Sequence, residues 1–197
     1  EMGVKIVIGP IFYENLIYLD KINDLIFLSL TNKTLDLPKN VISAGINSTS
    51  QLNTIKKFIK ETNINKTIFL TPIQDYEFEI KKGIKNSNDI NKEKKIKKLE
   101  KRYTLGGLNF DAVIIADFDE SLKSVGTSLL YTDVSPKNKY FITLNQWFDS
   151  SLQNETDIQP IYFPSINKNN FDNYKEKFFK EFNEYPSHLS LLSYDLV

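Results

Sequence analysis

Two carboxylates, Asp117 and Asp119, stand one residue apart directly after an apolar run, a spacing at which an acid and base pair or a cation site can form. His188 is the only histidine, so it is the one candidate histidine base, and sites built from several histidines are excluded. The structural alternatives are a helix cap or solvated loop for the aspartates and the first turn of a helix for His188. The sequence contains neither a Gly-x-Ser-x-Gly elbow nor a phosphate-binding glycine loop, so it offers no anchor for serine hydrolysis or nucleotide binding.

The elements that must position these residues alternate between strands and helices along the chain. Short β-branched runs predict strands, and apolar residues recurring at three and four predict helices. The predicted strands cover residues 4–8, 25–30, 41–46, 66–70, 112–116 and 140–144, and the predicted helices cover 13–22, a segment capped by Ser48 or Ser50, 76–84, 120–131, 170–183 and 187–197. This alternation predicts an α/β fold with mostly parallel sheets, in which ligands bind at the carboxyl ends of the strands.

Composition limits the partners and the chemistry. The chain has 197 residues, of which 41% are hydrophobic, and its 25 basic residues balance its 25 acidic ones. This neutral balance gives no electrostatic reason to expect nucleic acid or an anionic membrane surface as a partner. The absence of cysteine excludes disulfides and thiolate chemistry. No apolar run approaches the roughly 18 residues that span a bilayer, so we expect any export signal to lie outside this chain.

The order of several short motifs resembles the type I periplasmic binding protein fold. These motifs are Ile8-Gly9-Pro10, the strand end at residues 27–32, Tyr76 after a strand, residues 110–113, and an aromatic helix that turns at Tyr185-Pro186. The resemblance implies two Rossmann-like α/β lobes with a cleft between them, and a chain that is part of a longer protein. It also implies no catalysis, no cofactor and no metal. The implied lobes are residues 1–62 with 164–197, and residues 63–163.

Within that fold, the chain most resembles the penicillin-binding protein activators, the LppC-type lipoproteins. The residues that carry this resemblance are 99–102, 105–107 and 110–113, together with Trp147 after a strand. The resemblance implies a protein of the cell envelope that contacts a peptidoglycan synthase. It would lie in the periplasm, with an outer-membrane lipoprotein as one form, and would meet the membrane only through a lipid anchor outside this chain. The alternative is a substrate-binding protein of an ABC transporter for amino acids or related small molecules.

The resemblance also implies which residues line the cleft. Members that bind amino acids hold the α-carboxylate with a small hydroxyl residue where this chain has Tyr13, and the ammonium with an acidic residue that falls near Asn145. Both departures argue against an ordinary amino-acid site. The candidate cleft residues are Tyr13, Thr31, Tyr76, Asp117, Phe118 and Trp147. The alternative for Tyr13, Phe118 and Trp147 is packing in the core or at a hinge.

Overall fold

A computed structural model describes residues 3–34, 36–71, 109–146 and 149–196. The chain forms two compact units, Glu1–Asn47 with Ile166–Val197, and Ser48–Ser165. The lobe boundaries predicted from the sequence, 1–62 with 164–197 and 63–163, stay a prediction. The two divisions differ mainly in the unit to which residues 48–62 are assigned.

Strands and helices alternate through much of the described chain. The elements are β1 (Ile6–Ile8), β2 (Ile26–Ser29), β3 (Val41–Ser43), α1 (Ser48–Glu61), β4 (Thr67–Leu70), β5 (Ala112–Ile115), α2 (Asp119–Leu130), β6 (Tyr140–Thr143), α3 (Ser150–Gln153), β7 (Ile161–Tyr162), α4 (Lys168–Phe182) and α5 (His188–Tyr194). Strands β1 to β3 form one parallel sheet, and β4 to β7 form a second parallel sheet in that order. The predicted α/β class with mostly parallel sheets is therefore confirmed.

The sheet of the first unit is buried on one face only. Leu16, Phe27 and Val41 form its core, and each is at most 7% exposed. Side chains alternate between the two faces of a strand, so the neighbouring residues point the other way. Ile26 and Ile42 on that opposite face are 45% and 53% exposed.

The sheet of the second unit is buried on both faces. All four residues of β5 are buried, as its β-branched run predicts for a strand inside a parallel sheet. Val113 and Ile115 belong to a cluster that includes Leu122 of α2, while Ile114 belongs to a cluster that includes Leu52 of α1. Both clusters are drawn entirely from the second unit.

The prediction of a helix over residues 13–22 is wrong. The structure has two short 3-10 helices there, Tyr13–Asn15 and Leu19–Lys21. The Asn40 amide nitrogen donates hydrogen bonds to the carbonyls of Leu19 and Ile22, both at 2.9 Å. The Leu19 carbonyl also accepts the backbone N–H of Ile22 at 3.0 Å, so the segment ends in a short turn whose carbonyls are bound by a side chain from outside it.

Two further predictions differ from the structure or lie outside it. Strand β7 was not predicted, because two residues after a proline are too short to show a strand pattern. The helix predicted over residues 76–84 lies outside the described residues. None of the helices in the described ranges is both long and apolar enough to cross a membrane.

Candidate functional site

The carboxyl ends of β1 and β2 are joined by a buried hydroxyl. Ser29 Oγ donates a hydrogen bond to the carbonyl of Pro10 at 2.6 Å and accepts one from the backbone N–H of Thr31 at 3.2 Å. Ser29 is 0% exposed and Thr31 is 4% exposed. At β3, Ser43 Oγ donates to the carbonyl of Thr31 at 2.8 Å. The strand ends of this sheet thus form one hydrogen-bonded edge, with Thr31 at its centre.

Gly45 lets the chain after β3 lie directly against this edge. A Cβ atom at Gly45 would stand 2.3 Å from the Leu30 carbonyl oxygen and 2.4 Å from that of Thr31. Real Cβ atoms do not come this close to backbone oxygens, so no larger residue fits here without moving the backbone. Gly45 carries no distinguishing signal in the sequence, because only the packed strands show the close approach.

Two predicted residues, Tyr13 and Thr31, meet through Lys33. The backbone N–H of Lys33 donates to Thr31 Oγ1 at 3.2 Å, and Lys33 Nζ lies 4.7 Å from the centre of the Tyr13 ring. A cation over an aromatic face is attracted to the ring. Tyr13 also packs against the buried cluster around Leu16, so its ring has a structural role. Sequence reasoning missed Lys33, although its place two residues after Thr31 is the spacing of a local hydroxyl turn.

The carboxyl edge of the second sheet carries a network of buried polar groups. Thr143 Oγ1 lies 2.8 Å from the Ile115 carbonyl, to which it donates, and Gln146 Nε2 donates to the Leu144 carbonyl at 2.9 Å. From α1, Gln51 Oε1 accepts the backbone N–H of Asn145 at 2.8 Å. The four polar residues of this network are each at most 7% exposed: Gln51, Thr143, Asn145 and Gln146. Of these, the sequence analysis named only Asn145.

The two aspartates after β5 differ in their surroundings. Asp117 Oδ1 accepts a hydrogen bond from the backbone N–H of Phe118 at 3.0 Å. Phe118 packs against the cluster around Leu52, which accords with a packing role. Asp119 is exposed and has a positive φ of 50°, and it is the first residue of α2. An acidic residue in the first turn of a helix interacts favourably with the helix dipole, so the arrangement accords with a structural role for Asp119.

Of the remaining candidates, His188 packs against another ring, and Tyr76 and Trp147 lie outside the described residues. The His188 ring stacks on Phe171, with ring centres 4.7 Å apart. Burial, and then the nearby Lys175 ammonium, lower the pKa of His188 below its ordinary value. Within the described ranges, no group of three or more acidic, histidine or cysteine residues could hold a metal ion.

Comparison with known proteins identifies a similar solved structure but no family. No family model matches the chain, and no curated protein matches it. A similar solved structure is that of LivJ from Streptococcus pneumoniae, the substrate-binding protein of a branched-chain amino acid transporter, in complex with isoleucine. The match has a TM-score of 0.59 at 15% sequence identity and covers 96% of this chain. The fold is that of a type I periplasmic binding protein.

The match to this periplasmic binding protein fold spans only part of the neighbour. The chain covers 61% of the length of the LivJ chain. At 15% identity the likeness concerns the backbone architecture, and a shared fold does not by itself imply a shared function. The finer resemblance to penicillin-binding protein activators depends on residues 99–102, 105–107 and 110–113 and on Trp147. Of these, only residues 110–113 lie within the described ranges, so that resemblance stays a prediction.

Proposed function

We propose that this chain is the ligand-binding part of a transporter substrate-binding protein, which binds amino acids or related small molecules without transforming them. The observation that carries the proposal is the match of 96% of the chain to LivJ, a substrate-binding protein solved with isoleucine. Parallel α/β sheets bind ligands at the carboxyl ends of their strands, and both sheets here carry polar side chains at those ends. The proposed place of action is outside the cytoplasmic membrane.

The cation beside Tyr13 favours a ligand that carries a carboxylate. Tyr13 stands where a small hydroxyl residue is expected, and Lys33 places an ammonium over its ring. Separately, the resemblance implies an acidic residue near Asn145 to hold a ligand ammonium, and the Asn145 amide carries no charge. We therefore expect a branched carboxylic acid that lacks an α-ammonium group to bind more tightly than the matching amino acid.

A titration tests the proposal directly. Isoleucine and its 2-oxo acid, which lacks the ammonium, are added separately while heat-induced unfolding is followed, and binding is measured by calorimetry. A ligand that binds only the folded state raises the melting temperature. We expect the larger rise with the 2-oxo acid. If neither compound changes the melting temperature at millimolar concentration, the proposed solute class is wrong.

Lys33→Gln is the matched variant for this titration. It removes the cation while keeping a similar length of side chain, so binding of the 2-oxo acid should weaken by about tenfold, as expected for loss of a charge-assisted contact. Lys39→Gln removes an exposed lysine from the turn before β3 and serves as the control. Equal binding by the two variants would show that Lys33 does not contact the solute.

The resemblance to penicillin-binding protein activators leads to a second proposal, contact with a peptidoglycan synthase. It is supported by the sequence motif alone. In the described part of that motif, Phe110 is buried and Asp111 holds a loop, so both residues have structural roles. Capture of a purified penicillin-binding protein by this chain, together with no response to either solute, would favour the activator over the transporter protein.

A further inference from the structure

A cavity of about 510 Å³ lies at the amino-terminal edge of the second sheet, at the opposite end of its strands from the edge described above. It is bordered by the loop after α1, by the start of β5 and β6, and by β7. Its volume falls within the roughly 300–1,000 Å³ that small-molecule sites occupy. All of its lining residues belong to the second unit, so the cavity can be described without reference to the first.

Aromatic rings form one wall of this cavity. Tyr140 and Tyr162 line it, with ring centres 5.6 Å apart, and Phe58 of α1 stacks on Tyr162 at 5.1 Å. Contact with two other rings holds the Tyr162 ring in place, yet the residue remains 36% exposed. An ordered apolar surface is therefore presented to solvent at the cavity wall.

A carboxylate beside the rings is also fixed in position. Asp111 Oδ2 accepts the backbone N–H groups of Asn65 and Lys66 at 2.9 and 3.0 Å. These bonds, first that of Lys66, lower the pKa of Asp111 below its ordinary value, so the group is ionised at neutral pH. The backbone N–H of Tyr140 donates to the Asp111 carbonyl at 2.9 Å, which sets the carboxylate next to the aromatic wall.

Hydrogen-bond donors complete the lining. Asn138 Oδ1 accepts the backbone N–H of Ser135 at 3.2 Å, which orients the amide. Its nitrogen is left to donate to a ligand, since a primary amide carries two donors. Lys137 is exposed at the rim and adds a charged donor.

We propose that this cavity binds a sugar, a ring that carries hydroxyl groups on its edge and apolar C–H groups on its faces. Such a ring packs a C–H face against Tyr162, while its hydroxyls donate to Asp111 and accept from Asn138. Lys137 and Lys139 also line the cavity, so phosphate is the ligand that competes with a sugar, although the Lys139 ammonium donates to the carbonyl of Phe110. The proposal is independent of the transport function proposed above.

NMR titration of the whole chain with glucose, N-acetylglucosamine, maltose and inorganic phosphate tests this proposal. We expect saturable, millimolar binding of at least one sugar, with shifts of the Asn138 side-chain amide signals. Tyr162→Leu should weaken that binding by about tenfold, since it removes the aromatic face. Tyr131→Leu alters a tyrosine that is 85% exposed and is not part of the cavity, and should leave the affinity unchanged.

Asn138→Asp is a second variant that does not depend on the aromatic packing. It replaces the donor amide by a carboxylate on an exposed side chain, so it should weaken sugar binding while unfolding stays close to that of the unaltered chain. Any of three results would overturn the proposal. These are the absence of saturable sugar binding, binding of phosphate alone, and equal sugar affinity in Tyr162→Leu and Tyr131→Leu.

Discussion

Gly45 and His188 show how single side chains depend on packing that the sequence does not display. The backbone carbonyls of Leu30 and Thr31 fill the space that a side chain at position 45 needs. At the other end of the first unit's sequence, the ring of Phe171 covers that of His188. In both cases the residue type is visible in the sequence, but the neighbour that gives it a role comes from a different element.

Gly45→Ala should destabilise the protein by about 2 to 3 kcal/mol, because its Cβ would overlap backbone oxygens that cannot rotate away. Urea unfolding measures the change. Gly126→Ala is the matched control, since its Cβ would meet only the side chain of Ile158 at 3.2 Å. Alanine is more favourable than glycine in a helix by about 1 kcal/mol, and this gain offsets the cost of the contact with Ile158. The control should therefore change stability by less than about 1 kcal/mol. Similar losses in both variants would contradict the argument from backbone contact.

The stability of the native chain should fall as the pH drops below about 6.5. His188 has a lowered pKa in the folded state, so the unfolded chain binds the proton more readily between the folded and unfolded pKa values. The stabilising contribution is therefore complete above the unfolded pKa and decreases below it. His188→Phe keeps a ring on Phe171 but cannot titrate. We expect urea unfolding at pH 7.5 and 5.5 to show a smaller loss for His188→Phe than for the native chain, and equal losses would contradict this assignment.

Strands were predicted more accurately than helices. The run that became β5 carries its own signal, because four consecutive apolar residues are buried on both faces. In residues 13–22 the apolar residues recur at mixed intervals, which is a weaker signal for a helix. The conformation of this segment depends on Asn40, which follows it by some twenty residues. The local hydrophobic pattern therefore predicts elements that bury a regular face. It fails where a side chain distant in sequence forms the hydrogen bonds of the backbone.

Asn40→Ala tests this account of residues 13–22. The amide donates to the carbonyls of Leu19 and Ile22, and its removal should cost about 1 to 2 kcal/mol of folding free energy. Asn23→Ala alters an exposed asparagine directly after this segment and should change stability by less than about 0.5 kcal/mol. Hydrogen exchange should be faster in the residue 13–22 segment of Asn40→Ala. Unchanged stability would show that water, together with the Ile22 N–H that Leu19 also accepts, satisfies the two carbonyls equally well.

The whole chain divides into one continuous unit and one built from two separated stretches. The sequence predicted the α/β class, because alternating strands and helices leave few other arrangements. It predicted the strand ends that carry Tyr13, Thr31 and Asp117, but it did not predict Lys33 or the buried Gln51 and Gln146. The role of Gln51 depends on the backbone N–H of Asn145, far along the chain, whereas Gln146 bonds mainly to the Leu144 carbonyl beside it.

Residues 48–165 should fold when produced alone. Both buried clusters of the second unit are drawn from residues within this stretch, so its core is complete without the first unit. We expect circular dichroism to show helix and strand, and urea to unfold the fragment in one cooperative transition. Phe141→Ala, which removes a fully buried ring, should lower its stability by about 3 to 5 kcal/mol. A broad transition that Phe141→Ala does not affect would contradict an independent core.

The split first unit also bears on the order of events during synthesis. A ribosome delivers residues 1–47 first, then the whole of the second unit, and only afterwards the helices α4 and α5. The second unit is therefore synthesised between the two stretches of the first unit, and it can already collapse before the sequence of the first unit is complete. Nascent chains stalled before residue 166 should consequently be the form that most needs a chaperone.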